Sequence, residues 1–182
     1  RYIFVLLKAG IILADRPKDG REPGAGLSVS DQPAAGRDLI SAIVVTHNGE
    51  LHVQECLESL LSQTYKNIEI LIVDNASSDR TTKIIQENYP QARVFALKKN
   101  RHFARAVNYG IGRAEGKYFF VLNQDVALEK DCLANLHRMM KPGEKVAAAV
   151  PVMKFYHLRG FVNGIGNHIR NSGWGSDNFI GL

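Results

Sequence analysis

Four apolar runs, Ala42 to Thr46, Ile68 to Val73, Arg93 to Leu97 and Tyr118 to Leu122, begin at intervals of 26, 25 and 25 residues. No other feature of the chain constrains its fold as tightly. Runs of this length, rich in β-branched and aromatic residues, read as strands. Between them the apolar spacing becomes helical, with Val53, Cys56, Leu57, Leu60 and Leu61 on one stripe and Ala104, Val107, Ile111 and Ala114 on another. Strands alternating with helices at this interval connect by right-handed crossovers, which makes the strands parallel and covers the sheet on both faces. The predicted fold class is α/β, an open and mostly parallel sheet with helices on both sides. Asn48 and Ser78 read as N-caps, Tyr89-Pro90 ends the second helix and Gly116 marks the end of the third. A further helix is expected over Cys132, Leu133, Leu136, Met139 and Met140, stopped by Pro142-Gly143, with a strand from Val146 to about Phe155.

The 182 residues, 45% of them hydrophobic, suffice for one domain with a core and appendages, not for two full domains. Residues 1–14 are apolar and read as a buried or interfacial helix. They fall short of the ~20 residues that cross a bilayer, and Lys8 interrupts them. They also lack the small-residue cleavage pattern of a secretory signal. Because the sequence begins at Arg1, a piece of a longer protein is expected. Residues 15–38 hold three prolines and four glycines and read as a linker or disordered loop. The domain proper is expected over 39–156. The Gly- and Asn-rich 157–182 reads as an irregular or hairpin segment, the incomplete start of a further region.

A net charge of +5 favours anionic ligands without choosing among nucleotides, nucleic acid and acidic membrane surfaces. The two cysteines, Cys56 and Cys132, sit on apolar helix faces as small core residues of a reducing compartment, so the cytoplasm is the expected location. No Cys-x-x-Cys pair occurs and the six histidines lack zinc-ligand spacing, which argues against a structural zinc site.

In open parallel sheets the ligand crevice lies beyond the carboxyl ends of the strands, where strand order reverses. The segments to read are therefore His47 to Glu50, Asp74 to Asp79, Lys98 to Arg105 and Asn123 to Asp125. Neither a Gly-x-Gly-x-x-Gly turn nor a Gly-x-x-x-x-Gly-Lys-Ser/Thr loop is present, so a diphosphate here needs positive charge from elsewhere. Asp125 at a strand end suits a divalent cation, since Mg²⁺ or Mn²⁺ is commonly held by one or two carboxylates plus the substrate's own phosphate oxygens. Taken alone, an aspartate after a strand is more often a turn former or helix cap. For Asp79 that plainer reading is preferred, because Ser78-Asp79 opens a helix. The basic run Lys98, Lys99, Arg101 and Arg105 divides evenly between a solvated surface and a steering patch for a nucleoside diphosphate.

Together, ISAIVVTHNGE, IEILIVDNASSD and KKNRHFARAVNYGIGRAEGKYFFVLNQDV, in this order, resemble the family 2 inverting glycosyltransferases of GT-A fold, in the rhamnosyltransferase-like branch. The resemblance covers roughly Leu39 to Val152. It implies that Thr46, His47, Asn48 and Asp74 bind the nucleotide base, and that Asn100, Phe103, Ala106 and Asn108 belong to the segment lining the nucleotide site. It implies further that Asn123 and Asp125 stand in the Asp-x-Asp position that binds ribose and the Mn²⁺ or Mg²⁺ ion. Two departures are visible: His102 stands where glycine is usual, and Asn123-Gln124-Asp125 retains one carboxylate of two. The resemblance implies transfer of a sugar from a nucleotide-sugar donor, dTDP-rhamnose or a UDP-sugar, to a glycan or lipid-linked acceptor in cell-surface polysaccharide assembly, and it allows a peripheral membrane contact. The family's general base lies in an acidic motif downstream of the Asp-x-Asp. After Asp131 the only carboxylates are Glu144 and Asp177, neither in that context. No catalytic base is assigned, and the chain is expected to stop before the acceptor-binding half.

Two other readings compete. One is a non-catalytic nucleotide-sugar-binding remnant or interaction module without a base. The other is a nucleic-acid patch on the basic run, which is weaker because a single aromatic, Phe103, lies inside it; nucleic acid is not the expected partner.

Overall fold

The computed structural model describes residues 38–140, 146, 148–155 and 157, together with the backbone of 11–13, 162–164, 167–169 and 175–177. Its main sheet has six strands: β1 (Ile11–Leu13), β2 (Ile40–Thr46), β3 (Ile68–Asp74), β4 (Arg93–Ala96), β5 (Tyr118–Asn123) and β6 (Ala148–Ala149), in spatial order β4-β3-β2-β5-β1-β6. Strands β2 to β5 are parallel, with Thr46 beside Asp74 and Val45 beside Asn123. From β2 the chain winds outward through β3 to β4 and then crosses back to place β5 on the other side of β2. The point of reversal is where a ligand crevice opens in such sheets.

Alternation along the central strands sorts the helices between two faces. Ile40, Ala42 and Val44 pack with Val53, Cys56, Leu57 and Leu60 of α1 (Val53–Leu61), Ile85 of α2 (Thr81–Asn88), and Leu133 and Leu136 of α4 (Cys132–Met139). Ile43, Val45, Leu71 and Val73 face the opposite way and pack with Ala106 and Val107 of α3 (His102–Ile111). Gly110 lets α3 lie this close. A Cβ there would come within 2.6 Å of Ile43 Cγ2 and 3.1 Å of Val73 Cγ2, both fixed by the sheet. Leu61, read as part of the α1 stripe, is exposed, because one residue past Leu60 turns about 100° off that stripe.

Several local expectations are corrected. The helix expected over 1–14 is a strand at Ile11–Leu13, lying antiparallel between β5 and β6 with Ile12 opposite Phe120 and Ala149. Three successive aliphatic residues have no polar face, so periodicity could not separate strand from helix, and the open edge of β5 offered backbone partners. The rest of 1–14, and 15–37 of the expected linker, lie outside the described residues. The strand expected from Val146 to Phe155 is broken into β6 and β7 (Met153–Lys154), with Pro151 between them withholding a ladder donor. β7 pairs with β8 (Val162–Gly164), and β9 (Asn167–Ile169) pairs antiparallel with β10 (Gly175–Asp177). The caps also differ. His52 and Arg80 precede α1 and α2 without side-chain capping bonds, and α3 ends at Gly112. Asn48 instead reaches across the crevice edge to Ser78, as described next.

Candidate active site

The C-terminal ends of β2, β3 and β5, with the start of α3, enclose a pocket of about 350 Å³. From β2 come Val45, Thr46 and His47, from the end of β3 Asn75, from the end of β5 Asn123, Gln124 and Asp125, and from the α3 side Asn100, His102 and Phe103. Of the expected site residues, Thr46, His47, Asn100, Phe103, Asn123 and Asp125 are therefore brought together. Asp125 is exposed and shares the wall with Thr46, His47 and Asn75, so it belongs to the crevice and not to the core.

Asn48, Asp74 and Asn108 are placed differently. Asp74 is 2% exposed and does not line the pocket. Its Oδ1 accepts the Thr46 hydroxyl at 2.9 Å and that of Ser77, and its Oδ2 accepts the Ser77 N–H at 3.0 Å. A carboxylate held this way ties the β3 turn to the last residue of β2. Asn48 sits at φ 49°, a left-handed conformation that asparagine tolerates. Its N–H donates to Ser77 Oγ and its Oδ1 accepts the Ser78 N–H at 2.8 Å, stitching the first two strand-end turns together. Asn108, exposed on α3, stands outside the pocket wall.

Asp79 caps the start of α2, as the plainer reading expected. Its Oδ1 accepts the Thr81 N–H at 3.0 Å, and its Oδ2 accepts the Glu50 N–H at 3.1 Å. Burial would raise its pKa, but the bonds from the Thr81 hydroxyl and the Thr81, Glu50 and Asp79 N–H groups outweigh it and hold the carboxyl below its ordinary value. Burial pushes the thiols up, Cys56 to about 12 and Cys132 to about 11, so both stay protonated and inert as core residues should.

Two wall residues escaped sequence reasoning. Gln124 donates from Nε2 to the His47 carbonyl at 3.0 Å and accepts the His47 N–H at 2.8 Å, joining the β5 turn to the β2 turn. Gly49 makes room for it, since a Cβ there would lie 2.1 Å from Gln124 Oε1. Buried Asn75 donates to Asn100 Oδ1 at 2.9 Å and accepts the Arg101 N–H at 2.7 Å, pinning the β4–α3 turn to β3. The available signal for both was adjacency to Asp74 and Asp125 in the strand-end turns.

His102 opens α3 at φ 62°, in the left-handed region, with its N–H donated to Asn100 Oδ1 at 2.8 Å. A side chain costs about 1–2 kcal/mol in that conformation, which explains glycine as the easy choice there. At an ordinary helical position alanine exceeds glycine by about 1 kcal/mol. Here the order is expected to invert: His102→Gly should resist urea better than His102→Ala, and equal or reversed midpoints would show that the turn relaxes without strain.

Comparison with known proteins decides the family. Residues 41–176 match the model of glycosyl transferase family 2. The chain belongs to glycosyl transferase family 2. Among relatives, an uncharacterized glycosyltransferase of Rickettsia typhi is 39% identical over 87 residues, covering 48% of this chain and 27% of the relative. Glycosyltransferase GlyG of Streptococcus pneumoniae is 32% identical over 109 residues, covering 57% of this chain and 36% of the relative. The chain thus spans about a quarter to a third of the length of these relatives. Among solved structures, S. aureus TarS 1–349 in complex with UDP superposes with a TM-score of 0.52 at 26% identity, over 56% of this chain and 31% of that one. The mannosyltransferase PcManGT from Pyrobaculum calidifontis, in complex with GDP-Man and Mn²⁺, gives 0.52 and 26% over 57% and 32%. The GT-A-type architecture expected for a family 2 glycosyltransferase is the one observed.

Proposed function

We propose that the pocket binds the nucleoside diphosphate of a nucleotide-sugar donor, and that the whole protein transfers the sugar with inversion to a glycan or lipid-linked acceptor. The observation that carries this reading is the position of Asp125: exposed, at the end of β5, in one wall with the ends of β2 and β3 at the point of strand reversal. The pocket is within the usual size range for small-molecule sites. Support also comes from two structural neighbours whose complexes hold UDP and GDP-Man with Mn²⁺.

Among the described residues no group of three His, Cys, Asp or Glu forms a ready metal cage, and Asp125 is the single carboxylate in the pocket wall. That donor set fits a Mn²⁺ or Mg²⁺ ion which completes its shell with diphosphate oxygens and water. When bound, the ion would neutralise charge developing on the departing diphosphate. The chain's own residues do the rest: His47 and Asn123 offer polar groups to the nucleoside, Phe103 gives an apolar wall, and Gln124 and Asn75 hold the turns that carry them. Inversion corresponds to one displacement, in which the acceptor oxygen bonds to the anomeric carbon as the bond to the diphosphate oxygen breaks. The acceptor proton passes to a base that we do not assign to any residue described.

We place the protein in the cytoplasm, on cell-surface polysaccharide assembly, with dTDP-rhamnose or a UDP-sugar as donor. Among the described residues no helix is long and apolar enough to cross a membrane. The test is a thermal-shift series with UDP, dTDP and GDP, each with and without Mn²⁺. A metal-dependent rise with one of them is expected; no rise with any would remove the donor site.

A further inference from the structure

The donor pocket contains no lysine or arginine in its wall, yet a strongly basic segment runs directly past it. Lys98, Lys99, Arg101 and Arg105 flank Asn100, His102 and Phe103, which do line the pocket. All four cations are exposed, and none forms an ion pair among the described residues. Elsewhere among the described residues Arg80, Lys83, Arg93, Lys117 and Lys154 have a carboxylate partner while Lys66, Arg113, Lys130 and Arg138 do not, so what sets this segment apart is four unpaired cations within eight residues. No acidic residue occurs between Glu87 and Glu115, so the segment has no local compensation. Its middle is nevertheless held, the Arg101 and His102 N–H groups donating to Asn75 Oδ1 and Asn100 Oδ1 and the Asn75 amide donating to the Asn100 side chain. An uncompensated charge cluster on a pinned turn is an electrostatic surface built in advance of its ligand.

From this placement we infer that the Lys98–Arg105 rim binds phosphate groups of the acceptor, making the acceptor a phosphate-bearing glycan or glycan precursor. The inference rests on the donor-site reading above. A nucleoside diphosphate in the pocket meets Asn and His side chains with the Asp125-held ion, whereas none of the four cations lines the pocket and all four flank residues that do, which leaves them to a molecule that approaches the donor from outside. Four positive charges in one short segment exceed what one partly neutralised diphosphate requires. They suit a ligand carrying several phosphates, with Lys acting as a point charge and Arg as a bidentate donor.

The test uses the 182-residue chain, short-chain inorganic polyphosphate as probe, and the variant K98Q/K99Q/R101Q/R105Q, all four positions being exposed. Calorimetry should find polyphosphate binding to protein already saturated with Mn²⁺ and the nucleoside diphosphate chosen by the thermal-shift series. In the variant, polyphosphate affinity should fall at least about tenfold with a shallower salt dependence, since fewer counterions are released, while nucleoside diphosphate affinity stays within about twofold. Displacement of polyphosphate by the nucleoside diphosphate, or parallel loss of both in the variant, would assign the cations to the donor and overturn the proposal. Undiminished polyphosphate binding by the variant would overturn it too, as would tighter binding of a thymidine oligonucleotide of equal charge. Failure of the donor-site reading shows separately, as absence of nucleoside diphosphate binding to the parent chain, and removes the acceptor assignment with it.

Discussion

Replacing Asp125 by alanine is expected to remove the metal-dependent part of nucleoside diphosphate binding and leave the fold intact. The side chain is exposed and no other carboxylate stands in the pocket wall, so nothing nearby can take over its oxygen ligand. A cation held by a single protein carboxylate depends on that group for its affinity, and a loss of about 100-fold in apparent Mn²⁺ affinity follows. Calorimetry of the nucleoside diphosphate with and without Mn²⁺ reads this directly: parent and variant should bind alike without metal and diverge with it. An unchanged Mn²⁺ enhancement would take Asp125 out of the site. Asp125→Asn should resemble the alanine variant, since it keeps the shape and loses the charge.

Asp74→Ala should act on stability first. The carboxylate is buried and accepts three hydrogen bonds, from the Thr46 hydroxyl and from the Ser77 hydroxyl and N–H. Truncation strands a fully buried hydroxyl, that of Thr46, and loosens the turn that Asn48 stitches to β2. Leaving buried donors of a charge-assisted network unpaired costs about 3 kcal/mol, which corresponds to a drop of roughly 10 °C in Tm for a domain of this size. Asp74→Asn, which preserves one acceptor oxygen, should lose about half as much. Urea unfolding measures both. A stability loss below about 0.5 kcal/mol with weakened nucleoside binding would instead mean that the carboxylate is available to the base, as the family resemblance implies.

Much of the fold was legible because its causes are local. Runs such as ISAIVVT and IEILIVD can bury both faces only as central strands, and the 25-residue interval leaves room for one helix and two turns between them. Strand-end position then predicted which segments meet, and six of the ten expected site residues do line one pocket, Ala106 being buried in the core instead. What escaped has a common cause. Asp74 and Asn48 lie in the expected turns, but which way a side chain points there depends on partners about 30 residues away, Thr46 for the one and Ser77 and Ser78 for the other. Gln124 and Asn75 read as spacers in sequence, yet each bridges two turns.

The sequence by itself determined the α/β class, the parallel core from β2 to β5, and the convergence of Thr46, His47, Asn100, Phe103, Asn123 and Asp125 at one sheet edge. Periodicity and connection handedness depend on neighbouring residues and need no knowledge of distant ones. Only the tertiary structure decided that Ile11–Leu13 is a strand antiparallel to β5, that Asp74 faces its own turn, and that four cations stand outside the pocket. Those outcomes depend on which groups find partners in space: an open strand edge, a buried hydroxyl and the membership of a pocket wall are properties of the folded surface and not of any window of the chain.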